Sequence, residues 1–174
     1  KEIIERLKIR PDKIEVIPNA INIDKINKVG PSSEKSDIIF AGRLISHKNV
    51  DLLINSINIL RKTSPKIKCI ILGDGPEAQN LKNQVKSSGL EKNIIFKGFI
   101  KDENTMYALM KSSKVFAFPS EREGFGIAPL EANACGIPIV TIDAKDNASK
   151  FLIKQGKNGL ITKGKDENSF SISL

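Results

Sequence analysis

The sequence is poor in aromatic, histidine and cysteine residues. Aromatic residues make up 5% of the 174 positions, with no tryptophan and one tyrosine. So few rings leave little surface on which nucleic-acid bases could stack. The two cysteines, Cys69 and Cys135, lie far apart without a CxxC pair, and the single histidine, His47, has no metal-ligand or nucleophile partner nearby in the sequence. These scarcities argue against nucleic-acid binding, a resident metal ion and Cys–His catalysis.

Long hydrophobic runs are also missing. No stretch approaches the roughly 20 apolar residues that a membrane-spanning helix requires, and the charged start of the chain lacks the apolar core of a signal peptide. The first residue is Lys1 rather than Met, so we expect a fragment of a longer protein. With 40% hydrophobic and 28% charged residues, the composition is typical of a soluble globular domain. We therefore expect a cytoplasmic protein.

Positive charge is in excess. The chain has 28 Lys and Arg against 20 Asp and Glu, which gives a net charge of +8. The lysines are scattered rather than clustered, as is typical of solvated helix faces. A basic surface suits phosphate-bearing ligands or an anionic membrane. The net charge is therefore compatible with a protein that acts at the inner face of a membrane, but the charge alone does not indicate that location.

From residue 37 onward, short apolar runs alternate with helical patterns. Uninterrupted runs such as IIFA, KCIIL and VFAF are typical of parallel strands buried on both faces. We predict strands at 37–41, 67–72, 94–96, 115–118, 139–142 and 159–162. We predict helices at 50–63, 76–89, 103–112, 130–134 and 148–155. This alternation predicts an α/β fold with a doubly wound, mostly parallel, Rossmann-like sheet.

The two ends of the chain have weaker patterns. The pattern of residues 1–8 predicts a short amphipathic helix, and the pattern of residues 14–17 predicts a strand. Residues 19–36 read as a loop or linker by composition, and residues 163–174 are polar and unpatterned. We therefore divide the chain into the end of a preceding domain or a hinge, a linker, and a C-terminally truncated Rossmann-like domain, at 1–18, 19–36 and 37–174.

Polar and glycine-rich loops follow several of the predicted strands. Sheets of this kind bind ligands outside the carboxyl ends of their strands. Arg43 and Lys48 follow the first strand of the sheet, where two cations can clamp a diphosphate. Two solvated surface cations are the alternative. Gly98 follows another strand, and residues 120–126 follow the next, so we expect all of them to line one edge.

The stretch 119–138 carries two glutamates, Glu123 and Glu131, separated by a glycine loop and the start of a helix. The N-terminus of such a helix favours an anionic ligand. The glutamates can be an acid/base pair as in glycoside hydrolases, two solvated side chains, or contacts to two parts of an extended ligand. One glutamate on a loop and the other inside a helix favours the third interpretation.

Residues 73–78, GDGPEA, fit the dinucleotide-binding pattern G-x-G-x-x-A. They follow the second strand of the sheet rather than the first, and the next strand ends without an acid for a ribose. We therefore predict a tight turn whose glycines permit positive φ before a helix.

Five motifs occur in a fixed order: FAGRL with a later lysine, ILGDGPE, FKGFI, PSEREGFGIAPLEANACGIPIV and NGLI. Together they closely resemble the nucleotide-sugar-binding half of retaining family 4 glycosyltransferases of GT-B fold. The earlier VIPNAIN resembles the hinge between the two Rossmann-like domains of that family. The resemblance spans residues 14–162, and the seven residues between the glutamates of EGFGIAPLE are its most specific part.

The resemblance implies a set of site residues, three catalytic and eight substrate-binding: Glu123, Arg43 and Lys48, and Glu131, Gly42, Gly98, Phe99, Gly124, Phe125, Gly126 and Ile127. The two cations would hold the donor diphosphate and offset charge on the leaving group. Glu123 would contact the donor hexose, and Glu131 would take the ribose hydroxyls. Backbone around Gly98 would meet the nucleobase, and the N–H groups of 124–126 would face sugar and phosphate.

The resemblance also implies a reaction. The donor would be a UDP-, GDP- or ADP-sugar, the acceptor a glycan, a lipid or a small glycoside, and no metal ion or other cofactor would be required. The family's acceptor-binding N-terminal domain is represented here by at most its last helix and strand. Residues 143–149 replace a stretch that is often glycine-rich in the family, so we assign no site there.

These implications predict the donor-binding domain of a retaining, hexosyltransferase-like glycosyltransferase that is inactive as this fragment alone. One alternative is a sugar-nucleotide-binding module without transferase activity. Another is a GT-B relative with other chemistry, such as a nucleotide-sugar 2-epimerase.

Overall fold

The predicted apolar runs pair into one six-stranded parallel sheet. The computed structural model of the chain describes residues 2–15 and 17–174, with the backbone alone at 2–4. The strands are β1 (Ser36–Ala41), β2 (Cys69–Leu72), β3 (Ile94–Gly98), β4 (Ser113–Phe118), β5 (Arg122–Glu123), β6 (Ile139–Ile142), β7 (Asp146–Asn147) and β8 (Gly159–Thr162). The large sheet has the order β3-β2-β1-β4-β6-β8, and β5 pairs with β7 separately.

The central strands are buried along their apolar runs, whereas Asp37 and Lys114, near the starts of β1 and β4, form an ion pair at the surface. Ile38 of β1 lies beside Cys69 of β2 on one side and Val115 of β4 on the other. The rings of Phe40 and Phe116 stack on Phe118, with centroids 6.1 and 5.8 Å away. A continuous apolar core therefore fills the middle of the sheet, as uninterrupted apolar strands require.

Two groups of helices cover the sheet. The helices are α1 (Glu2–Leu7), α2 (Ile23–Lys28), α3 (Val50–Leu60), α4 (Ala78–Ser87), α5 (Glu103–Lys111), α6 (Ile127–Ala134) and α7 (Glu167–Ser173). α3 packs against α4 and α7, whereas α5 packs against α6. Because β–α–β crossovers are right-handed, the reversal of the strand order between β1 and β4 in this parallel sheet puts these groups on opposite faces. The predicted doubly wound α/β fold is confirmed.

The strand predicted at 14–17 is wrong for the described residues. Pro11–Lys13 form a single 3-10 turn, and Ile14, Glu15 and Ile17 belong to no strand. Val16 lies outside the described residues. Ile17 is 81% exposed, and no described strand pairs with Ile14, Glu15 or Ile17. The helix predicted at 1–8 is present as α1, which ends at Leu7, because Lys8 has a φ of 49°. Lys1 also lies outside the described residues.

The segment predicted as a linker contains helix α2. Asn22 caps its N-terminus by accepting a hydrogen bond from the Lys25 N–H at 2.9 Å. Ile26 is fully buried, and Lys111 of α5 donates hydrogen bonds to the carbonyls of Ile26 and Val29 at 2.7 Å each. This short helix is thus anchored to the rest of the chain by α5.

The unpatterned tail also forms a helix. α7 starts at Asp166, whose side chain accepts the Ser169 N–H at 2.9 Å. Phe170 is fully buried, and α7 packs on α3. The helix predicted at 148–155 is shorter than expected, a 3-10 helix at Ala148–Leu152. None of the helices in the described part of the chain is long and apolar enough to cross a membrane.

Candidate functional site

The loops after β1 and β4 lie side by side where the strand order reverses. This topological switch point is the usual ligand site of open α/β sheets. Glu121 N–H donates to the His47 carbonyl at 2.8 Å, and the Asn49 amide donates to the Pro119 carbonyl at 3.1 Å. Asn49 itself adopts a left-handed backbone conformation, with φ of 49°. The two loops are therefore fixed to each other.

Lys48 and Glu123 form an ion pair between these two loops. Their side chains are 12% and 20% exposed, and the ammonium of Lys48 also lies 4.7 Å from the centre of the Phe118 ring. A partly buried cation that is held by both a carboxylate and an aromatic face has little freedom to move. The pair puts one positive and one negative group at the mouth of the same cleft.

Arg43 has a different environment. Its side chain is exposed, and it makes no ion pair with any residue that the structure describes. An uncompensated guanidinium next to a cleft can offer its planar set of donors to a phosphate. Of the two predicted cations, Arg43 is therefore the one whose charge is available without displacing a partner.

The glycine loop offers main-chain donors to the cleft. Within the described part of the chain, the N–H groups of Gly124, Phe125, Gly126 and Ile127 make no hydrogen bond. Gly126 has φ of +95°, and a Cβ there would lie 2.7 Å from the Cβ of Ser149. Only glycine fits this position, where the chain turns into α6. The open N–H groups and the helix dipole together favour an anion at this point.

Residues 143–149 support that loop from behind. β7 pairs with β5, and the buried Asn147 donates to Thr141 Oγ1 at 3.0 Å. Thr141 in turn donates to the carbonyl of Phe118 at 2.6 Å. This hydrogen-bond chain ties the segment to the end of β4. Its polar side chains are used for structure, and the sequence predicts no site there.

Two clefts open along the carboxyl edge of the sheet, and they share Ala41, Gly42 and Ala128. The first, of about 440 Å³, is lined by Asn19, Lys48, Phe118, Glu123, Gly124, Phe125, Gly126 and Ile127 besides the shared residues. The second, of about 450 Å³, is more apolar and is lined by Arg43, Leu72, Gly73, Asp74, Phe99, Ile100 and Met106. Because they share a wall, the clefts form one elongated groove.

The turn at 73–75 shapes the apolar end of this groove. Gly73 has φ of +128°, and a Cβ there would lie 1.9 Å from the carbonyl oxygen of Gly42. Its N–H donates to the Gly98 carbonyl at 2.7 Å. The predicted tight turn with positive φ is confirmed. Phe99 follows Gly98 and is 71% exposed, so its ring is accessible at the rim.

Glu131 lies one helical turn beyond Ala128 on the same face of α6. Its Oε1 accepts a hydrogen bond from the Tyr107 hydroxyl at 2.8 Å. Burial raises the pKa of Glu131 although the hydrogen bond from Tyr107 opposes the rise. Burial also raises the pKa of Tyr107, and the neighbouring Glu131 adds to that shift. The neutral hydroxyl of Tyr107 therefore donates its hydrogen bond to the half-buried carboxylate of Glu131.

The structure brings most of the predicted site residues to one groove. Nine of the eleven line one cleft or both. Gly98 and Glu131 do not line either cleft, but Gly98 contacts the turn at 73–75 and Glu131 lies next to the shared wall. This arrangement agrees with the expectation of one binding edge, while the role of each side chain stays a prediction.

Several residues of the groove were not predicted. Asn19, Met106 and Ile100 line it, Phe118 lies against Lys48, and Tyr107 contacts Glu131. Asn19 belongs to the hinge-like VIPNAIN motif and could have been considered on that basis. Ile100 ends the FKGFI motif and could have been considered in the same way. Met106, Tyr107 and Phe118 lie inside predicted elements, and the sequence gives no sign that they point towards a ligand. In the described residues, no three His, Cys, Asp or Glu side chains form a group that could hold a metal ion.

The comparisons with known proteins agree with one another, since each finds glycosyltransferases. The family described as Glycosyl transferases group 1 matches residues 22–173. The chain is 30% identical over 154 residues to an uncharacterized glycosyltransferase of Haemophilus influenzae, covering 88% of this chain and 42% of that protein. It is 30% identical over 172 residues to the N-acetylgalactosamine-N,N'-diacetylbacillosaminyl-diphospho-undecaprenol 4-alpha-N-acetylgalactosaminyltransferase of Campylobacter jejuni, covering 97% and 45%.

Solved structures show the same fold. HepE of Anabaena, in complex with UDP and glucose, superposes with a TM-score of 0.76 at 24% identity, covering 94% of this chain and 46% of that one. WaaG, a glycosyltransferase involved in lipopolysaccharide biosynthesis, superposes with a TM-score of 0.81 at 16% identity, covering 99% and 49%. The predicted GT-B architecture is confirmed, whereas membership of family 4 and a retaining outcome stay predictions. The chain spans less than half the length of the relatives described. With residues 22–173 matched, this chain belongs to the Glycosyl transferases group 1 family.

Proposed function

We propose that the chain is the donor-binding part of a retaining glycosyltransferase, which transfers a sugar from a nucleoside-diphosphate sugar to a glycan, a lipid or a small glycoside. The observation that carries the proposal is the single groove at the switch point. It combines an ion-paired Lys48 with a guanidinium and main-chain N–H groups that have no partner among the described residues, all along one edge. The UDP complexes of proteins with the same fold support this ligand class.

The diphosphate would lie between Arg43 and the N-terminus of α6. Arg43 borders the apolar cleft, the glycine loop borders the other cleft, and Gly42 and Ala128 belong to both. A diphosphate needs several donors at once, because two phosphates carry charge on oxygens that point in different directions. The Arg43 guanidinium and the N–H groups of 124–127 would supply donors from two sides without a resident metal ion.

The hexose would lie near the Lys48–Glu123 pair. The carboxylate can accept hydrogen bonds from sugar hydroxyls, and the adjacent ammonium can meet the phosphate on which negative charge grows as the bond breaks. Because the two groups are in direct contact, they mark the junction between sugar and phosphate. This position suits the predicted catalytic roles, with Glu123 on the hexose and with Lys48 and Arg43 on the phosphate.

The nucleoside would occupy the apolar end of the groove. Phe99, Ile100 and Met106 give it apolar walls, and backbone at Gly98 would meet the base. Glu131 would take the ribose hydroxyls next to the shared wall at Ala128. A UDP-, GDP- or ADP-sugar would satisfy these contacts, since the walls that meet the base are apolar or main chain.

The rest of the enzyme would supply the acceptor site. The chain spans less than half the length of the relatives described, so we propose that residues 1–18 lead from an N-terminal, acceptor-binding domain. We also propose a cytoplasmic enzyme whose basic surface, with a net charge of +8, can contact the anionic inner face of a membrane. The chain alone would bind the donor and transfer sugar poorly.

Calorimetric titration tests donor binding. UDP, GDP and ADP are each added to the wild-type chain, to Arg43→Ala and to Lys62→Ala, an exposed residue outside the groove that serves as the control for lost charge. We expect at least one nucleotide to bind, Arg43→Ala to weaken it about tenfold, as for a charge-assisted contact, and Lys62→Ala to change it less than twofold. Absence of binding by all three nucleotides, or equal losses in both variants, would contradict the proposal.

A further inference from the structure

Tyr107 is a buried polar side chain next to the proposed nucleotide site, and the proposed function gives it no role. It lies on α5, is 5% exposed, and donates its hydroxyl hydrogen to Glu131 Oε1 at 2.8 Å. It follows Met106, which lines the apolar cleft. Tyr107 is the single tyrosine in the sequence. Its contact with Glu131 joins α5 to α6 directly below the groove.

The hydrogen bond uses only part of the Glu131 carboxylate. Oε2 accepts no hydrogen bond from any described residue. Every fully buried side-chain oxygen and nitrogen in the described residues has a partner, so Oε2, which has none, keeps some exposure to solvent. Tyr107 thus holds one oxygen in place and leaves the other accessible. Each carboxylate oxygen has two lone pairs, so even Oε1 can accept a second hydrogen bond.

The surroundings of the Glu131 carboxylate make its hydrogen bond with Tyr107 important. Burial and the nearby Glu103 raise the pKa of Glu131, while Tyr107 opposes the rise. Cys135, one turn further along α6, has a raised pKa because of its own burial and stays neutral, with Lys111 as the nearby cation. Tyr107 is therefore the neighbour that stabilises the ionised form of Glu131 by a direct hydrogen bond.

We infer that Tyr107 is a positioning residue, which fixes the Glu131 carboxylate so that its open oxygen faces the two ribose hydroxyls of the nucleotide. The inference rests on the proposed function, since it requires a ribonucleotide in the groove. Without the hydroxyl of Tyr107, the carboxylate of Glu131 can rotate about its last torsion and turn towards water. Binding of the ribose would then have to order the Glu131 carboxylate, and this entropic cost would reduce the affinity for the ribose.

Tyr107→Phe tests the inference, because it removes one oxygen and keeps the ring. The tightest binder among UDP, GDP and ADP is titrated calorimetrically, together with its 2′,3′-dideoxy form. We expect Tyr107→Phe to weaken the ribonucleotide about tenfold, as for a hydrogen bond to a charged group, and to leave the dideoxy form unchanged within twofold. Met110→Leu, a fully buried apolar change on the same helix, is the control and should affect neither ligand.

Glu131→Ala completes a double-mutant cycle. Once Glu131 is removed, Tyr107→Phe should cause no further loss of ribonucleotide affinity. If Tyr107→Phe weakens both ligands equally, or has the same effect with and without Glu131, Tyr107 is merely structural and the inference is wrong. If the wild-type chain binds none of the three nucleotides, the proposed function itself is wrong, and this inference is wrong with it.

A measurement on the wild-type chain covers the case in which Tyr107→Phe does not fold. Tyrosine labelled with ¹³C at the ζ carbon gives one NMR signal here, since the chain has one tyrosine. We expect this signal to shift when the ribonucleotide is added, because its hydroxyls redistribute the hydrogen bonds of Glu131. The dideoxy form at equal saturation should leave the signal unchanged. Equal shifts with both ligands would overturn the inference.

Discussion

At the scale of single residues, the groove combines compensated and uncompensated charges. Lys48 is paired with Glu123 and lies against Phe118, whereas Arg43 is free in the described part of the chain. A ligand that approaches Lys48 must share it with Glu123. In the proposed function, a phosphate near Arg43 would gain a full charge pair at once, so Arg43 would be the first contact and Lys48 the group engaged as charge develops.

Gly126 is the residue at which the loop geometry is most demanding. It adopts φ of +95°, and a Cβ would lie 2.7 Å from Ser149 Cβ. We expect Gly126→Ala to lower the free energy of unfolding by roughly 1–3 kcal/mol, because it combines backbone strain with a clash against the supporting segment. Urea denaturation followed by circular dichroism measures the change.

Gly124 provides a matched control two residues earlier in the same loop. No atom lies within 4 Å of a Cβ at Gly124, and its φ is not in the left-handed region. Gly124→Ala should therefore change the free energy of unfolding by less than about 0.5 kcal/mol. Equal losses in the two variants would show that the loop is sensitive to any side chain and that the contact of Gly126 with Ser149 is unimportant.

At the scale of elements, the sequence predicted the sheet better than its surroundings. The six strands of the large sheet are recognisable because buried parallel strands need uninterrupted apolar runs, as in β1 and β4. α2 and α7 were missed for the opposite reason. Each is short and buries few apolar side chains, chiefly Ile26 in α2 and Phe170 in α7, so neither has a periodic apolar face to recognise.

The same contrast holds for the site. Loops 42–48 and 120–126 were predicted to meet because the carboxyl ends of parallel strands share one edge. Tyr107 was not predicted to contact Glu131, since its position depends on how α5 packs on α6. The separation of residues in the chain does not fix that packing. Groups placed by topology were therefore predictable, and groups placed by packing between helices were not.

Phe170 makes the packing of α7 testable. Its side chain is fully buried, whereas Ile172 on the same helix is 86% exposed. We expect Phe170→Ala to lower the free energy of unfolding by about 3–5 kcal/mol, the usual cost of a large-to-small change in a core. Ile172→Ala should cost less than about 0.5 kcal/mol. Chemical denaturation compares the two, and similar values would mean that α7 does not pack on α3 as described.

At the scale of the whole molecule, the groove lies where the strand order changes direction. Two of the loops that form it follow β1 and β4 in the middle of the sheet, so they are attached to buried central strands. A ligand that joins these loops therefore contacts the rigid centre of the fold. Its binding energy should stabilise the chain as a unit rather than one loop.

Thermal unfolding in the presence of ligand tests this coupling. A nucleotide at a hundred times its dissociation constant stabilises the folded state by about 2.7 kcal/mol, which raises the melting temperature of a chain this long by about 5–10 °C. Sulfate at equal ionic strength is the control for general attraction to the net charge of +8 and should give less than half the shift. EDTA should leave the nucleotide shift unchanged, because Arg43 and the N–H groups of the glycine loop would meet the diphosphate. An equal shift with sulfate would mean that the chain attracts anions through its overall charge and has no specific site, and loss of the shift in EDTA would mean that a metal ion carries the diphosphate.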